Sequence, residues 1–230
     1  MRFRPTALFH DRHDAGRALA QKLSNYTGRD DVIILALPRG GVPVGYEVAR
    51  ALGAPLDVFI VRKLGVPGHE ELAMGAIATG GVRVLNHSVV EAARIPQTEI
   101  DRVTAMEEAE LRRRERQYRG DRPAPDVRGR VAILVDDGLA TGSTMRAAAA
   151  ALRRQGPAEI VVAVPVASEE TCDEFRSEVD HIVCAQTPEP FYAVGIWYED
   201  FTQTSDEEVR SLLAVPRPDR AAAFPIPQGS

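Results

Sequence analysis

Two adjacent carboxylates, Asp136 and Asp137, follow the apolar run Val131-Ala-Ile-Leu-Val135 and open a short turn rich in glycine and hydroxyls. The turn, Gly138-Leu-Ala-Thr-Gly-Ser-Thr144, leads into the helix-forming stretch Met145-Arg-Ala-Ala-Ala-Ala-Ala-Leu152. An unbroken apolar run of this length reads as a strand covered on both faces. In open α/β sheets, ligands bind beyond the carboxyl ends of such strands. The turn offers free backbone N–H groups, the hydroxyls of Thr141, Ser143 and Thr144, and the positive end of a helix, a combination that suits a phosphate monoester. The two carboxylates accept hydrogen bonds and so suit a pair of vicinal hydroxyls. A phosphate beside a diol describes a ribose 5-phosphate. No Lys or Arg adjoins the two acids in sequence, so the fold gains nothing from their mutual repulsion. The plainer reading is an ordinary strand-to-helix turn.

Two further segments carry chemistry. Leu37-Pro-Arg-Gly-Gly41 follows a second apolar run, Val32 to Leu37. Its glycines let backbone N–H groups approach an anion, and Arg39 offers a fork for phosphate oxygens. Val61-Arg-Lys-Leu-Gly-Val-Pro-Gly-His-Glu-Glu-Leu72 carries Arg62 and Lys63 and then runs through Gly65, Pro67 and Gly68, a composition that predicts a mobile loop. His69, Glu70 and Glu71 could supply general acid or base chemistry from that loop, or simply meet solvent at its tip. Other phosphate signatures are missing. No Lys follows Lys63, which excludes a Gly-Lys-Ser/Thr loop, and no Gly-x-Gly-x-x-Gly opens a helix.

The stretch Val131–Thr144 resembles the signature of the type I phosphoribosyltransferases: an apolar run, two acids, then Thr-Gly-x-Thr. The resemblance covers about residues 10 to 205 and implies a mainly parallel central sheet flanked by helices, with a helical insertion and a small C-terminal hood. It implies that Asp136 and Asp137 take the ribose hydroxyls, and that Ala140, Thr141, Gly142, Ser143 and Thr144 take the 5-phosphate. Arg39, Gly40, Gly41, Arg62 and Lys63 would take the pyrophosphate, with Arg39, Lys63, His69 and Glu70 as the catalytic candidates. The implied reaction transfers ribose 5-phosphate from phosphoribosyl pyrophosphate to a nitrogen nucleophile, with Mg²⁺ carried on substrate oxygens rather than by dedicated side chains. One departure matters. Members acting on hypoxanthine and guanine carry an acid just before the Thr-Gly pair, where this chain has Ala140. The motif is closer to adenine-type members, and the overall likeness is to a poorly characterised group, so the acceptor stays open. Some relatives keep the sugar-phosphate site as regulators that bind nucleic acid.

The elements that must position these residues alternate. Asp14–Tyr26 has helical apolar spacing with Gly28 as a stop, and Pro43–Leu52 reads as the next helix. Strands are expected at Val32–Leu37, Leu56–Val61, Glu159–Val164 and His181–Cys184, with a helix capped by Ser168 running to Glu178. Met74–Thr79 and Val82–Leu85 read as a hairpin at a sheet edge. Such alternation implies right-handed crossovers in one α/β core. That core is placed at 1–187, with a helical insertion at 88–120, a hood at 188–213 and a disordered tail at 214–230. The insertion ends in the arginine-rich run Arg112–Arg119, read either as a basic patch or as a solvated helix balanced by Glu107, Glu108, Glu110 and Glu115. The hood region holds five of the chain's thirteen aromatics, Phe191, Tyr192, Trp197, Tyr198 and Phe201, which suits either a lid or plain core packing.

Bulk properties agree with this reading. The chain has 230 residues, 44% hydrophobic and 27% charged, within the range of an ordinary globule. A net charge of −5 argues against a general nucleic-acid binder. Cys172 and Cys184 have neither metal nor redox spacing and read as buried thiols in a reducing compartment. With no signal-peptide core and no membrane-length apolar run, the expected location is cytoplasmic. The expected partners are phosphoribosyl pyrophosphate and an unidentified acceptor, with no membrane or nucleic acid and a homodimer left open.

Overall fold

Three central strands are built from long apolar runs, and alternate residues along them feed two separate cores. The structure, a computed structural model, describes residues 6–215. In β1 (Val32–Ala36), β6 (Val131–Val135) and β7 (Glu159–Val166), nearly every residue is buried. Ile34, Ile133 and Val161 meet on one face, against Leu19, Val44 and Val48 of α1 (Arg12–Lys22) and α2 (Gly41–Leu52). Ile33, Leu134 and Val162 meet on the other, against Met145, Leu152 and Phe175 of α5 (Ser143–Arg153) and α6 (Glu169–Phe175). A continuous apolar run is therefore what a strand covered twice requires. Each fully buried Val, Leu or Ile contributes roughly 1.5–3 kcal/mol relative to exposure. β2 (Leu56–Val58) and β8 (His181–Gln186) complete a wholly parallel sheet in the order β2-β1-β6-β7-β8.

The connection from β2 to β6 carries a second sheet. β3 (Val61–Val66), β4 (His69–Ala78) and β5 (Val82–Leu85) form an antiparallel meander, followed by α3 (His87–Ala92) and α4 (Gln97–Arg119). The mobile loop expected over Val61–Leu72 is thus overturned. The Gly and Pro content suggested a loop, but alternation decides the matter: Leu64 and Val66 are buried with Met74 and Ile77 against Ile100 and Leu111 of α4. Pro67-Gly68 is only the turn, with Gly68 at φ +79°. The expected strand Leu56–Val61 likewise divides between the two sheets, and the Gly80-Gly81 hairpin belongs to the second sheet rather than to an edge of the first.

Along α4 the arginines are matched by acids. Arg113 and Arg114 bond Glu110 at 2.7 and 2.8 Å, and Arg112 pairs with Glu108. Arg119 is buried, bonding Asp57 at 2.7 Å and Glu115 at 3.0 Å. This is the solvated-helix arrangement, with one end turned into the core. The free-thiol reading of Cys172 and Cys184 is also corrected, since the structure joins them in a disulfide between α6 and β8. Their spacing of 12 fits no motif, and it is the packing of α6 on β8 that brings them together. The hood region contains a 3₁₀ turn, Val194–Trp197, and α7 (Asp206–Ala214). Most of the expected tail, 216–230, lies outside the described residues. Among those described, no helix is long and apolar enough to cross a membrane.

Candidate functional site

From β1 the chain turns outward to β2, and from β6 it turns the other way to β7, so the carboxyl ends of β1 and β6 flank the switch point of the sheet. Both chemical loops of the sequence lie there, 37–40 after β1 and 136–142 after β6. Each runs directly into a helix. α1, α3, α6 and α7 are capped by side chains, from Asp11, Asn86, Ser168 and Ser205. α2 and α5 start instead from Gly40 and Gly142 with no side-chain cap, as α4 does behind Pro96 among the described α-helices. Both helix N-termini border one crevice, where the positive end of a helix attracts anions, although at α2 the Gly41 and Val42 amides already donate to the Leu37 and Arg39 carbonyls at 3.0 and 3.1 Å.

The loop after β6 is held from behind. Thr171 Oγ1 donates to the Ala140 carbonyl at 2.9 Å, and Arg146 donates to the Thr141 carbonyl at 2.6 Å. Arg146 is itself held by Glu174 and Glu178 and lies 4.8 Å over the Phe175 ring. Gly142 has φ +67°, and a Cβ there would sit 2.5 Å from Phe175, so both backbone and space demand glycine. Ala140, Thr141, Ser143 and Thr144 face solvent on the open side. Lys63 reaches this loop from the second sheet, with Nζ donating to Ser143 Oγ at 3.0 Å.

The structure separates the remaining basic candidates. Successive residues of β3 point to opposite faces, so Arg62 turns to α4 and bonds Glu107 at 2.6 Å while Lys63 turns to α5. Arg39 follows a cis Pro38–Arg39 peptide and lies, one-third exposed, 3.9 Å from Asp206. His69 and Glu70 are exposed at the β3–β4 turn, where Glu70 accepts from the Gly68 amide at 3.3 Å. Neither is bonded to the crevice loops among the described residues. Gly40 and Gly41 pack directly on the acids: a Cβ on Gly40 would lie 2.0 Å from Asp137 Oδ2, and one on Gly41 2.9 Å from Asp136 Cα.

The two acids are not as isolated as their sequence neighbours suggest. Arg12 Nε donates to Asp137 Oδ2 at 2.8 Å, and the Asp137 amide donates to Asp136 Oδ1 at 2.9 Å. Burial, followed by the charge of Asp137, still pushes the Asp136 carboxyl well above the usual range. Burial also raises Asp137, against the opposing pull of Arg12. Tyr198 donates to the Asp137 carbonyl at 2.6 Å, and burial raises its phenol further. The aromatic cluster is divided between core and surface. Trp197 and Tyr198 are buried with Phe9 and Val166 in a small core, while Phe201 lies on the rim, 5.0 Å from the Tyr198 ring. Arg12, Thr171 and Arg146 escaped the sequence reading because each sits outside the motifs and is joined to them only by tertiary contact.

A parallel sheet whose switch point carries two helix starts without side-chain caps and a paired acid is an open α/β scaffold with its candidate ligand site at the crevice. The family model of the phosphoribosyl transferase domain matches residues 8–188. The chain belongs to the phosphoribosyltransferase family, a family of transferases, and has its type I fold. A Mycobacterium tuberculosis protein named "Putative phosphoribosyl transferase" is 48% identical over 219 residues, 95% of this chain and 49% of that protein. The chain thus spans about half the length of the curated relatives it matches over 219 residues. The bifunctional protein PyrR of Chloroflexus aurantiacus is 34% identical over 129 residues, 55% of this chain and 65% of its own length. The crystal structure of TT1426 from Thermus thermophilus superposes with a TM-score of 0.79 at 42% identity, covering 89% of this chain and 97% of that one.

Proposed function

We propose that the protein transfers ribose 5-phosphate from phosphoribosyl pyrophosphate to a nitrogen nucleophile, a nucleobase or related compound, releasing pyrophosphate. The observation that carries this is the placing of paired acids between two glycine-started, uncapped helices. The loop after β6 takes the 5-phosphate, Asp136 and Asp137 take the ribose hydroxyls, and Arg39 takes the pyrophosphate beside Gly40 and Gly41, whose lack of side chains leaves room for it. Lys63, already at Ser143, completes the cationic rim, whereas Arg62 is committed to Glu107 and is set aside. The oxygen-rich, carboxylate-bearing crevice suits a Mg²⁺ ion carried by substrate oxygens and water. That ion would neutralise the departing pyrophosphate. The chain's own work is to fix the ribose, hold the leaving group and exclude water from an oxocarbenium-like centre. Ala140 leaves the position of the purine-binding acid without a proton acceptor, so a hypoxanthine or guanine acceptor is disfavoured.

The test is incubation with phosphoribosyl pyrophosphate, Mg²⁺ and a panel of nucleobases, with pyrophosphate release as the readout. A second reading is a sensor that keeps the sugar-phosphate site and binds nucleic acid. Its natural contact surface would be the arginine run of α4, which is largely neutralised by its own glutamates. Salt-sensitive RNA binding without turnover would favour the sensor.

A further inference from the structure

Arg12 lies at the start of α1, 125 positions from Asp137, yet its guanidinium joins three parts of the crevice. Nε donates to Asp137, Nη1 donates to the Thr202 carbonyl at 2.7 Å, and the guanidinium carbon stands 4.0 Å from the centre of the Phe201 ring. A Cβ on Gly40 would come within 3.2 Å of Arg12 Nε, so the ion pair is wedged against the loop that follows β1. The two side chains are only 11% and 17% exposed. Water screens such a pair far less than it screens a surface pair.

We propose that Arg12 is a positioning residue for the transfer reaction: it keeps Asp137 ionised and aimed at the ribose, and it fastens the Phe201–Thr202 edge of the hood beside the same sugar. This rests on the phosphoribosyl reading above. An ionised carboxylate has about four acceptor directions, so one bond to Arg12 leaves room for a sugar hydroxyl. The groups facing Asp137 are the Asp136 carboxyl on its own loop, the Tyr198 hydroxyl at the Asp137 carbonyl, the Gly40 backbone, and Arg12. Asp200 acts on the far side of Arg12. Arg12 is the one cation bonded to either acid among the described residues. Without it, burial acts unopposed and Asp137 takes up a proton at higher pH. A protonated carboxyl is a poorer acceptor for the ribose.

A purely structural role for Arg12 would weaken the fold without moving the pH at which the site operates. The experiment therefore measures ribose 5-phosphate binding by calorimetry between about pH 5 and pH 9 for the wild type, Arg12→Gln and Arg12→Lys. The ¹³C carboxyl titration of Asp137 in the free proteins gives a readout independent of ligand. Arg12→Gln is expected to weaken binding about tenfold on the acid limb and to shift both that limb and the Asp137 midpoint upward by about one unit. Arg12→Lys is expected to restore part of both, since it returns the charge but not the fork. If Arg12→Gln does not fold, the Lys variant alone decides, by showing or failing to show a smaller upward shift. An acid limb and midpoint unchanged from wild type would overturn the proposal. Failure of the wild type to bind ribose 5-phosphate or phosphoribosyl pyrophosphate would instead overturn the phosphoribosyl reading beneath it.

Discussion

Asp136 and Asp137 stand side by side, but only one of them has a cation. The expectation that the fold gains nothing from the repulsion of the pair was made without Arg12, which bonds Asp137 alone. Asp136 has its proton affinity raised, so its ionisation weakens the folded state as pH climbs through the raised value. Asp136→Asn should therefore keep or raise the melting temperature at neutral pH, while Asp137→Asn should lower it by stranding the buried Arg12. Both should weaken ribose 5-phosphate binding, by roughly 1.5–3 kcal/mol for each charged hydrogen bond lost. Calorimetry and thermal melts on the single variants check both halves. A pair of variants with equal melting temperatures would deny Arg12 its part. Arg39 gives a complementary case. Arg39→Ala should cut phosphoribosyl pyrophosphate turnover while leaving ribose 5-phosphate affinity near wild type, with Arg39→Lys recovering only part. Equal losses for both ligands would place Arg39 elsewhere. The acids, the hydroxyls and the Arg-Gly-Gly loop were legible because they are contiguous. Arg12 was not, because a contact spanning more than a hundred residues leaves no local trace.

Among the elements, the buried parallel strands were the most legible part, since an unbroken apolar run bounded by turns suits little but a strand covered on both faces. β3 was the least legible. Its Gly65, Pro67 and Gly68 suggested a loop, while the alternation of Leu64 and Val66 that makes it a strand is short and interrupted by charge. What fixes β3 is α4, whose Ile100 and Leu111 supply the apolar lid. α4 is fixed in turn by Tyr118, whose hydroxyl donates to Asp206 of α7 at 2.6 Å. Burial and this bond push the Tyr118 phenol up to about 12. A group whose proton affinity rises on folding stabilises fully below its unfolded value and loses that effect as pH climbs to the folded one. Stability should thus fall between about pH 10 and pH 12, and Tyr118→Phe should flatten part of that fall. Denaturant midpoints across this range decide. A parallel loss in both proteins would assign the effect to other groups, Tyr26 among them, since burial and Glu159 raise its phenol similarly.

On the scale of the whole molecule, the crevice is assembled from separate bodies. The central sheet brings the two anion loops together, the second sheet contributes Lys63, and the small aromatic core holds Tyr198 against the acids. No segment holds a complete site, which is why the sequence disclosed which ligand to expect long before it disclosed how that ligand is gripped. The M. tuberculosis relative is about twice as long as the stretch it shares with this chain.

The disulfide between Cys172 and Cys184 bears on the handling of the protein at the bench. It anchors α6 to β8, and α6 carries both Thr171 and Phe175, the two residues that back the loop after β6 at Ala140 and Gly142. A dithiol such as dithiothreitol would convert the bridge to two thiols and itself to a cyclic disulfide, leaving that backing on non-covalent contacts alone. Samples kept in dithiothreitol should then bind ribose 5-phosphate more weakly than oxidised samples while binding inorganic pyrophosphate equally well. The Cys172→Ser variant should behave as the reduced protein does in either buffer. Identical ribose 5-phosphate affinities in the two buffers, with the thiol count confirming reduction, would show that the loop does not depend on its tether. The reductant in the assay buffer is therefore an experimental variable of the same rank as magnesium and pH.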